Sequence, residues 1–417
     1  MSHEAAHADT SCCQQPIPEH PLIPRAAPQL ITSPDELAEL IGHLRDAGRF
    51  AYDSEFIGEA SFLPRLCLIQ VATAHRISLI DTLARLDLSP FWNLVADRDI
   101  EKIVHAGQQD LEPVYRLIGR PAANILDVQI AAGFVGLAYP VGLSKLVKEF
   151  VGVHLGKGFT FTHWDRRPLS PVQLRYAADD VRYLPALHDA LLGRLDELGH
   201  TGWAREESEA LCDPALYQLD ATRECLRIRG AGSLAQRNLA VLRELVIWRH
   251  QAAQRHDAPA RGYLKDQVLV DLADALPTSR QRLARIAGLP RPVEEQEADH
   301  ILAAVTRGMA ASAEDLPVIE QNEESPAERF AIESLLSAIQ AYCAGRSVDP
   351  ALVTSRHEVA RLYRHLREHT SLPQDHRLLR GWRAQLVGRL LADMFRGEGA
   401  VRLSWPNGVL RSERLNH

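Results

Sequence analysis

Lysine is scarce in this 417-residue chain: only Lys102, Lys145, Lys148, Lys157 and Lys265 stand among 47 basic residues, and the rest are arginine. A guanidinium is the better fork for phosphate oxygens, although a GC-rich genome produces the same excess. Cysteine is also sparse, at positions 12, 13, 67, 212, 225 and 343, and no two form a C-x-x-C pair. That spacing excludes a zinc ribbon and a thioredoxin-type motif. Cys12 and Cys13 lie near His3 and His7 in a polar, Pro-containing stretch that reads as a tail. Long apolar runs are missing too. The longest, Ile130 to Leu143, is broken by glycines and Pro140, too short for a bilayer, and reads as core. The first 30 residues lack an apolar signal segment. A reducing, cytoplasmic setting without membrane contact is therefore expected. No G-x4-G-K-[ST] phosphate loop is present, and Gly156-Lys157-Gly158 does not replace one, so nucleotide hydrolysis is not indicated.

The composition is that of a globular protein, with 46% hydrophobic and 24% charged residues. The length suggests two or three domains. The formal net charge of −7 argues against a basic coat for nucleic acid. It is unevenly spread, however. Residues 351–417 hold 12 Arg against 6 Asp and Glu, a balance of +6, which leaves −13 on the other 350.

Residues 1–30 read as a loose tail. Ser33, Pro34 and Glu36 then open a helix as a capping box. Phe50 to Phe56, Leu66 to Thr73 and Arg76 to Ile80 read as strands, followed by Lys102 to His105 and Ile125 to Ile130, with helices between and after them. This pattern predicts a mixed five-stranded sheet covered by helices, an α/β domain over residues 31–205. Strand signals then vanish. Helical periodicity at Leu242, Leu245, Val246 and Trp248 opens an all-α block over residues 206–313. An acidic linker, 314–326, leads to a second helical block, 327–417, which ends in an extended arm.

Three segments carry chemistry. In Tyr52-Asp53-Ser54-Glu55-Phe56, strand alternation puts Asp53 and Glu55 on one face. Like charges there are costly unless a cation neutralises them. In Val104-His105-Ala106-Gly107-Gln108-Gln109-Asp110, a strand runs into a helix and Asp110 falls in its first turn. In Ser170-Pro171-Val172-Gln173-Leu174-Arg175-Tyr176-Ala177-Ala178-Asp179-Asp180, a capped helix puts Tyr176 and Asp180 on one face, while Asp179 points elsewhere. Paired divalent cations require hard oxygen ligands of this kind, and an attacking water requires orientation.

The ordered set Asp53-x-Glu55, Asp110 and Tyr176-x3-Asp180 resembles the tyrosine subtype of the DEDD exonucleases. The surrounding wording is closer to the ribonuclease D family: Leu63-Pro64-Arg65-Leu66-Cys67-Leu68-Ile69-Gln70, Gly142-Leu143-Ser144-Lys145-Leu146, and Trp164-Asp165-Arg166-Arg167-Pro168-Leu169-Ser170. Ile286-Ala287-Gly288-Leu289-Pro290 resembles part of an HRDC helical domain, and Leu379-Arg380-Gly381-Trp382-Arg383 resembles part of a second. The resemblance implies a ribonuclease-H-like fold followed by two HRDC-type domains. It implies a monomer that hydrolyses RNA from the 3′ end with two ions, Mg²⁺ or Mn²⁺, and acts on tRNA precursors or other small structured RNAs. Asp53 then bridges the ions, Glu55 and Asp180 help to hold one of them, Asp110 acts in the outer shell through water, and Tyr176 orients the nucleophile. Ser54 stands where the family has threonine, and His163 where it has Asp or Asn.

Arg356, Arg361, Arg364 and Arg367 fall within about 140° of a helix face at about 100° per residue. Arg377, Arg380 and Arg383 follow at a spacing of three. This stripe fits a phosphate backbone or a solvated face paired with acids. Lys157 is a further candidate phosphate contact. Two other functions fit the same residues: a DNA 3′-exonuclease, and a non-catalytic RNA-binding scaffold, which the complete residue set disfavours.

Overall fold

The computed structural model describes residues 16–58, 60–156, 163–319, 324–369, 371–408 and 411–416. The tail residues 1–15 and Lys157 lie outside the described residues. The described chain divides into two compact units. Among the described residues, one comprises those of 16–55, 67–216 and 324–416, and the other those of 56–66 and 217–319.

The first unit is built on a mixed sheet of six strands: β1 (Gln29–Ile31), β2 (Arg49–Ile57), β3 (Arg65–Ala72), β4 (Ile77–Asp81), β5 (Glu101–Val104) and β6 (Ile125–Asp127). Their spatial order is β1-β4-β3-β2-β5-β6. β2 runs parallel to β5, and β5 to β6, while β3 is antiparallel to β4. The sheet has one strand more than the sequence suggests. β1 is three residues long and lies parallel to β4, with Leu30 opposite Leu79, so the residues before 31 are not all tail. Ile23 is buried, and Arg182 donates to the carbonyl of Pro24. β6 is shorter than expected. The Asp127 side chain accepts from the backbone N–H of Gln129 and caps a helix, Val128–Gly133, in place of the strand's second half.

Local sequence signals explain the helix starts. Ser33 and Ser170 each form a complete capping box, with Glu36 and Gln173 respectively. The helix Gln108–Ile118 ends at Gly119, whose φ of 68° puts it in the left-handed region that glycine tolerates. Phe50, Tyr52, Ile69, Leu79, Ile103 and Leu126 fill the sheet's core. Each such side chain contributes about 1.5–3 kcal/mol when fully buried.

The C-terminal segment belongs to this same unit. Its helices Pro326–Ala344 and Arg356–Glu368 are followed by shorter turns and a final helix, Arg389–Arg396. A hairpin of β7 (Gly399–Ser404) with β8 (Arg411–Asn416) follows that helix.

The second unit is helical. The helices Gln236–Arg255 and Arg291–Met309 pack around Leu242, Leu245, Trp248, Ile301 and Ala304. The Trp248 indole N–H donates to the buried carboxylate of Glu297 (3.0 Å), which Arg255 also holds (2.8 Å). Residues 56–66 belong here, with the Phe62 ring 4.9 Å from His250. The two helices meet closely at Gly308, where a Cβ would come to 2.7 Å from the backbone nitrogen of Val241. Backbone cannot yield as a side chain does. Gly308→Ala is therefore expected to destabilise this unit by about 1–3 kcal/mol or more. A thermal unfolding transition unchanged from that of the parent chain would refute that close fit.

Candidate active site

β2 alternates as its sequence dictates. Tyr52 and Ser54 are buried on one side, while Asp53 and Glu55 are partly exposed on the other. The helix Pro171–Arg182 brings Asp180 to them. One carboxylate oxygen from each of Asp53, Glu55 and Asp180 lies within 4.8 Å of the others. Asp179 is turned away and held by Arg182 at 2.9 Å, as the helical period requires.

Asp110 approaches from the helix Gln108–Ile118. Its carboxylate accepts the Ser54 hydroxyl, and its backbone carbonyl accepts the Tyr52 hydroxyl at 2.6 Å. Tyr176 donates its hydroxyl to Asp180, one turn further on. Its ring centroid lies 6.3 Å from that of Trp164. Arg167 braces that segment, with paired nitrogens on Asp81 (2.6 and 2.7 Å) and further donors to the carbonyls of Trp164 and Cys67.

Burial and mutual repulsion make these carboxyls reluctant to ionise. Asp53 is pushed well above the usual range, first by burial and then by Asp110, Asp180 and Glu55. Glu55 is raised to about 8 by burial and by Asp180 and Asp110. Burial likewise raises Asp110 and Asp180 to about 7. Tyr176 is pushed up by burial and by the acids around it, so the phenol stays protonated. A convergent set of hard oxygen donors that repel one another in the absence of a cation fits divalent metal ions.

This has a measurable consequence. In the metal-free chain these acids hold protons between about pH 4 and pH 8, where the unfolded chain has released them. The folded state then binds more protons, so its stability falls as pH rises through that window. Mn²⁺ is expected to raise the melting temperature more at pH 8 than at pH 5. An equal gain at both values would mean that these acids are not its ligands.

The arginine stripe divides. Arg383 is buried and grips Glu207 through two nitrogens (2.8 and 2.6 Å), so it is a structural residue rather than a phosphate contact. Arg356 is held by Glu324 and Glu333, Arg364 by Glu324, and Arg367 by Glu328. Arg361 has Glu358 at 3.2 Å, and Arg380 is exposed with no ion pair among the described residues. Glu324, from the segment read as a linker, and Glu328 and Glu333, from the helix Pro326–Ala344 that follows it, thus neutralise much of the stripe. Sequence reasoning passed over two residues that support the site, Arg167 and Asp127. The cap pattern Asp127-Val128-Gln129 was the available signal for the second.

Residues 28–196 match the 3′-5′ exonuclease family model, and residues 238–305 match the HRDC domain model. Fold and carboxylate cluster thus define a divalent-metal-dependent 3′-5′ exonuclease joined to an HRDC domain. The chain is 35% identical to ribonuclease D of Gluconacetobacter diazotrophicus, across 87% of this chain and 91% of that one. It is 34% identical to ribonuclease D of Granulibacter bethesdensis, across 89% and 93%. The crystal structure of Escherichia coli RNase D superposes with a TM-score of 0.75 at 29% identity, covering 89% of this chain and 99% of that one. The chain belongs to the ribonuclease D family and is a 3′-5′ exoribonuclease. Among the described residues, no helix is long and apolar enough to cross a membrane.

Proposed function

We propose that this exoribonuclease uses two divalent ions, Mg²⁺ or Mn²⁺, held by Asp53, Glu55 and Asp180, to remove nucleoside 5′-monophosphates one at a time from the 3′ ends of small structured RNAs, tRNA precursors among them. The convergence of those three carboxylates within 4.8 Å carries the metal assignment. The description of the Escherichia coli relative, an exoribonuclease involved in structured RNA processing, supports the substrate class. When bound, the ions lower the pKa of water and stabilise charge on the leaving oxygen.

The chain's own residues do the rest. The Tyr176 proton is engaged by Asp180, so the phenol oxygen offers a lone pair to a water hydrogen and orients the water. Asp110, fixed by Ser54, supplies a second acceptor nearby. Water attacks the terminal phosphorus and the bond from phosphorus to the 3′-oxygen breaks. The shortened RNA keeps a 3′-hydroxyl. All five side chains come from one chain, which supports action as a monomer. Cys67, Cys212, Cys225 and Cys343 are buried and unbridged, in keeping with a reducing cytoplasm. Arg380, and Arg361 with one exposed ion pair among the described residues, are the stripe residues that best fit phosphate contact.

End-labelled RNA and DNA, each incubated with Mg²⁺ or Mn²⁺, test this reading. Stepwise loss of single nucleotides from the 3′ end of RNA is expected. Faster cutting of DNA would replace RNA as the substrate, and binding without cleavage would leave a scaffold.

A further inference from the structure

The C-terminal segment is joined to the exonuclease segment through two consecutive glutamates on the helix Thr201–Glu209. Glu206 accepts the backbone N–H of Trp382 at 3.0 Å. Glu207 accepts the Trp382 indole N–H at 2.7 Å and both terminal nitrogens of Arg383. Arg383 also donates to the carbonyls of Val353 (3.1 Å) and Leu352 (2.6 Å), so this guanidinium ties the helix Pro350–Val353 to its own turn and to Glu207. The Trp382 ring meets Phe134 edge-on at 4.7 Å. A seam with so many hydrogen bonds, around the buried Trp382 and Arg383, has a defined geometry.

The next residue along that helix is Ser208, fully buried. Its hydroxyl oxygen accepts the backbone N–H of Asp127 at 3.2 Å. The two carboxylate oxygens of Asp127 accept the backbone N–H groups of Ala106 and Gly107, each at 3.1 Å. Those two residues form the turn from β5 into the helix that carries Asp110. The turn is under strain. Ala106 has a φ of 55°, a left-handed conformation that is unfavourable for a residue with a Cβ. A Cβ on Gly107 would come to 2.6 Å from that of Val104. A strained turn persists only where its surroundings hold it, and Asp127 is that hold.

We propose that Glu207, Ser208 and Asp127 form a positioning relay through which the C-terminal helical segment sets the place of Asp110. The segment then acts on turnover itself, in addition to any grip on RNA. This inference rests on the reading that Asp110 belongs to the active site.

A dinucleotide too short to reach the C-terminal segment separates the two roles. Glu207→Gln keeps the shape of the side chain and removes the charge that holds Arg383. It is expected to lower kcat on the dinucleotide by on the order of tenfold, with KM changed by less than about twofold. The same fall in kcat is expected on a 20-nucleotide RNA. Normal kcat on the dinucleotide with raised KM on the longer RNA would overturn the relay and leave a binding module. Should Glu207→Gln fail to give a native melting transition, Ser208→Ala, which removes only the acceptor for the Asp127 N–H, is read in the same way.

A double-mutant cycle with Asp110→Asn completes the test. If Glu207 acts through Asp110, the two losses are less than additive, whereas full additivity would refute the relay. Should Asp110→Asn alone leave hydrolysis intact, the active-site reading fails instead. Loss with Asp110→Asn but not with Glu207→Gln rejects the relay alone.

Discussion

Asp53→Asn is expected to reduce 3′-end hydrolysis of RNA by on the order of 10³-fold or more. Metal ions contribute several kcal/mol to stabilising charge in a phosphoryl transition state, and each 1.36 kcal/mol lost is about tenfold in rate. Asp53 joins Glu55 and Asp180 in the one carboxylate cluster of ligand geometry found among the described residues. An amide at that position keeps the volume but removes the charge, and it offers N–H donors where the cations need lone pairs. Mn²⁺ affinity measured by calorimetry is expected to fall together with the rate. The metal-free variant is expected to melt higher than its parent at pH 8, because Asp53 is repelled there by Asp110, Asp180 and Glu55. These opposite directions separate loss of a ligand from loss of the fold. Near-normal hydrolysis by Asp53→Asn would sink the site assignment.

Tyr176→Phe is expected to slow hydrolysis by about 10²-fold, mainly through kcat, with Mn²⁺ affinity within about twofold of the parent. The change deletes a single oxygen. The ring keeps its place beside Trp164, and Asp180 keeps its carboxylate for the cation. The lost element is the acceptor that orients water. A loss of metal affinity as large as the loss of rate would show instead that the hydroxyl acts by holding Asp180. A rate unchanged within twofold would remove Tyr176 from the chemistry.

Much of the site is legible in the chain because it depends on short-range periods. A spacing of two on a β-prone segment puts Asp53 and Glu55 on one face, and a spacing of four on a capped helix does the same for Tyr176 and Asp180. The serine caps at Ser33 and Ser170 are equally local. Features that depend on distant partners are not legible. β1 is only three residues long, and it is a strand because β4 lies beside it. Arg356 and Arg364 look like a phosphate track until the fold brings Glu324 to them over 32 and 40 residues. Arg383 belongs to the same apparent track, but its partner Glu207 lies 176 residues earlier. Asp127 looks like a strand residue, and its grip on the Ala106–Gly107 turn crosses 20 residues of chain.

The scarcity of lysine and the net charge of −7 describe totals, and totals do not say which charges meet. By itself the sequence determined the chemistry of this protein: Asp53 with Glu55, and Tyr176 with Asp180, stand at spacings that fixed backbone periods turn into shared faces, and Asp110 opens a helix. Only the tertiary structure decided which of the remaining charges are free. Pairing between groups far apart in the chain is set by how whole elements pack, and side-chain periodicity carries no record of that. The same packing placed the C-terminal segment against the helix of Glu207, two hydrogen-bonded steps from the turn that launches Asp110.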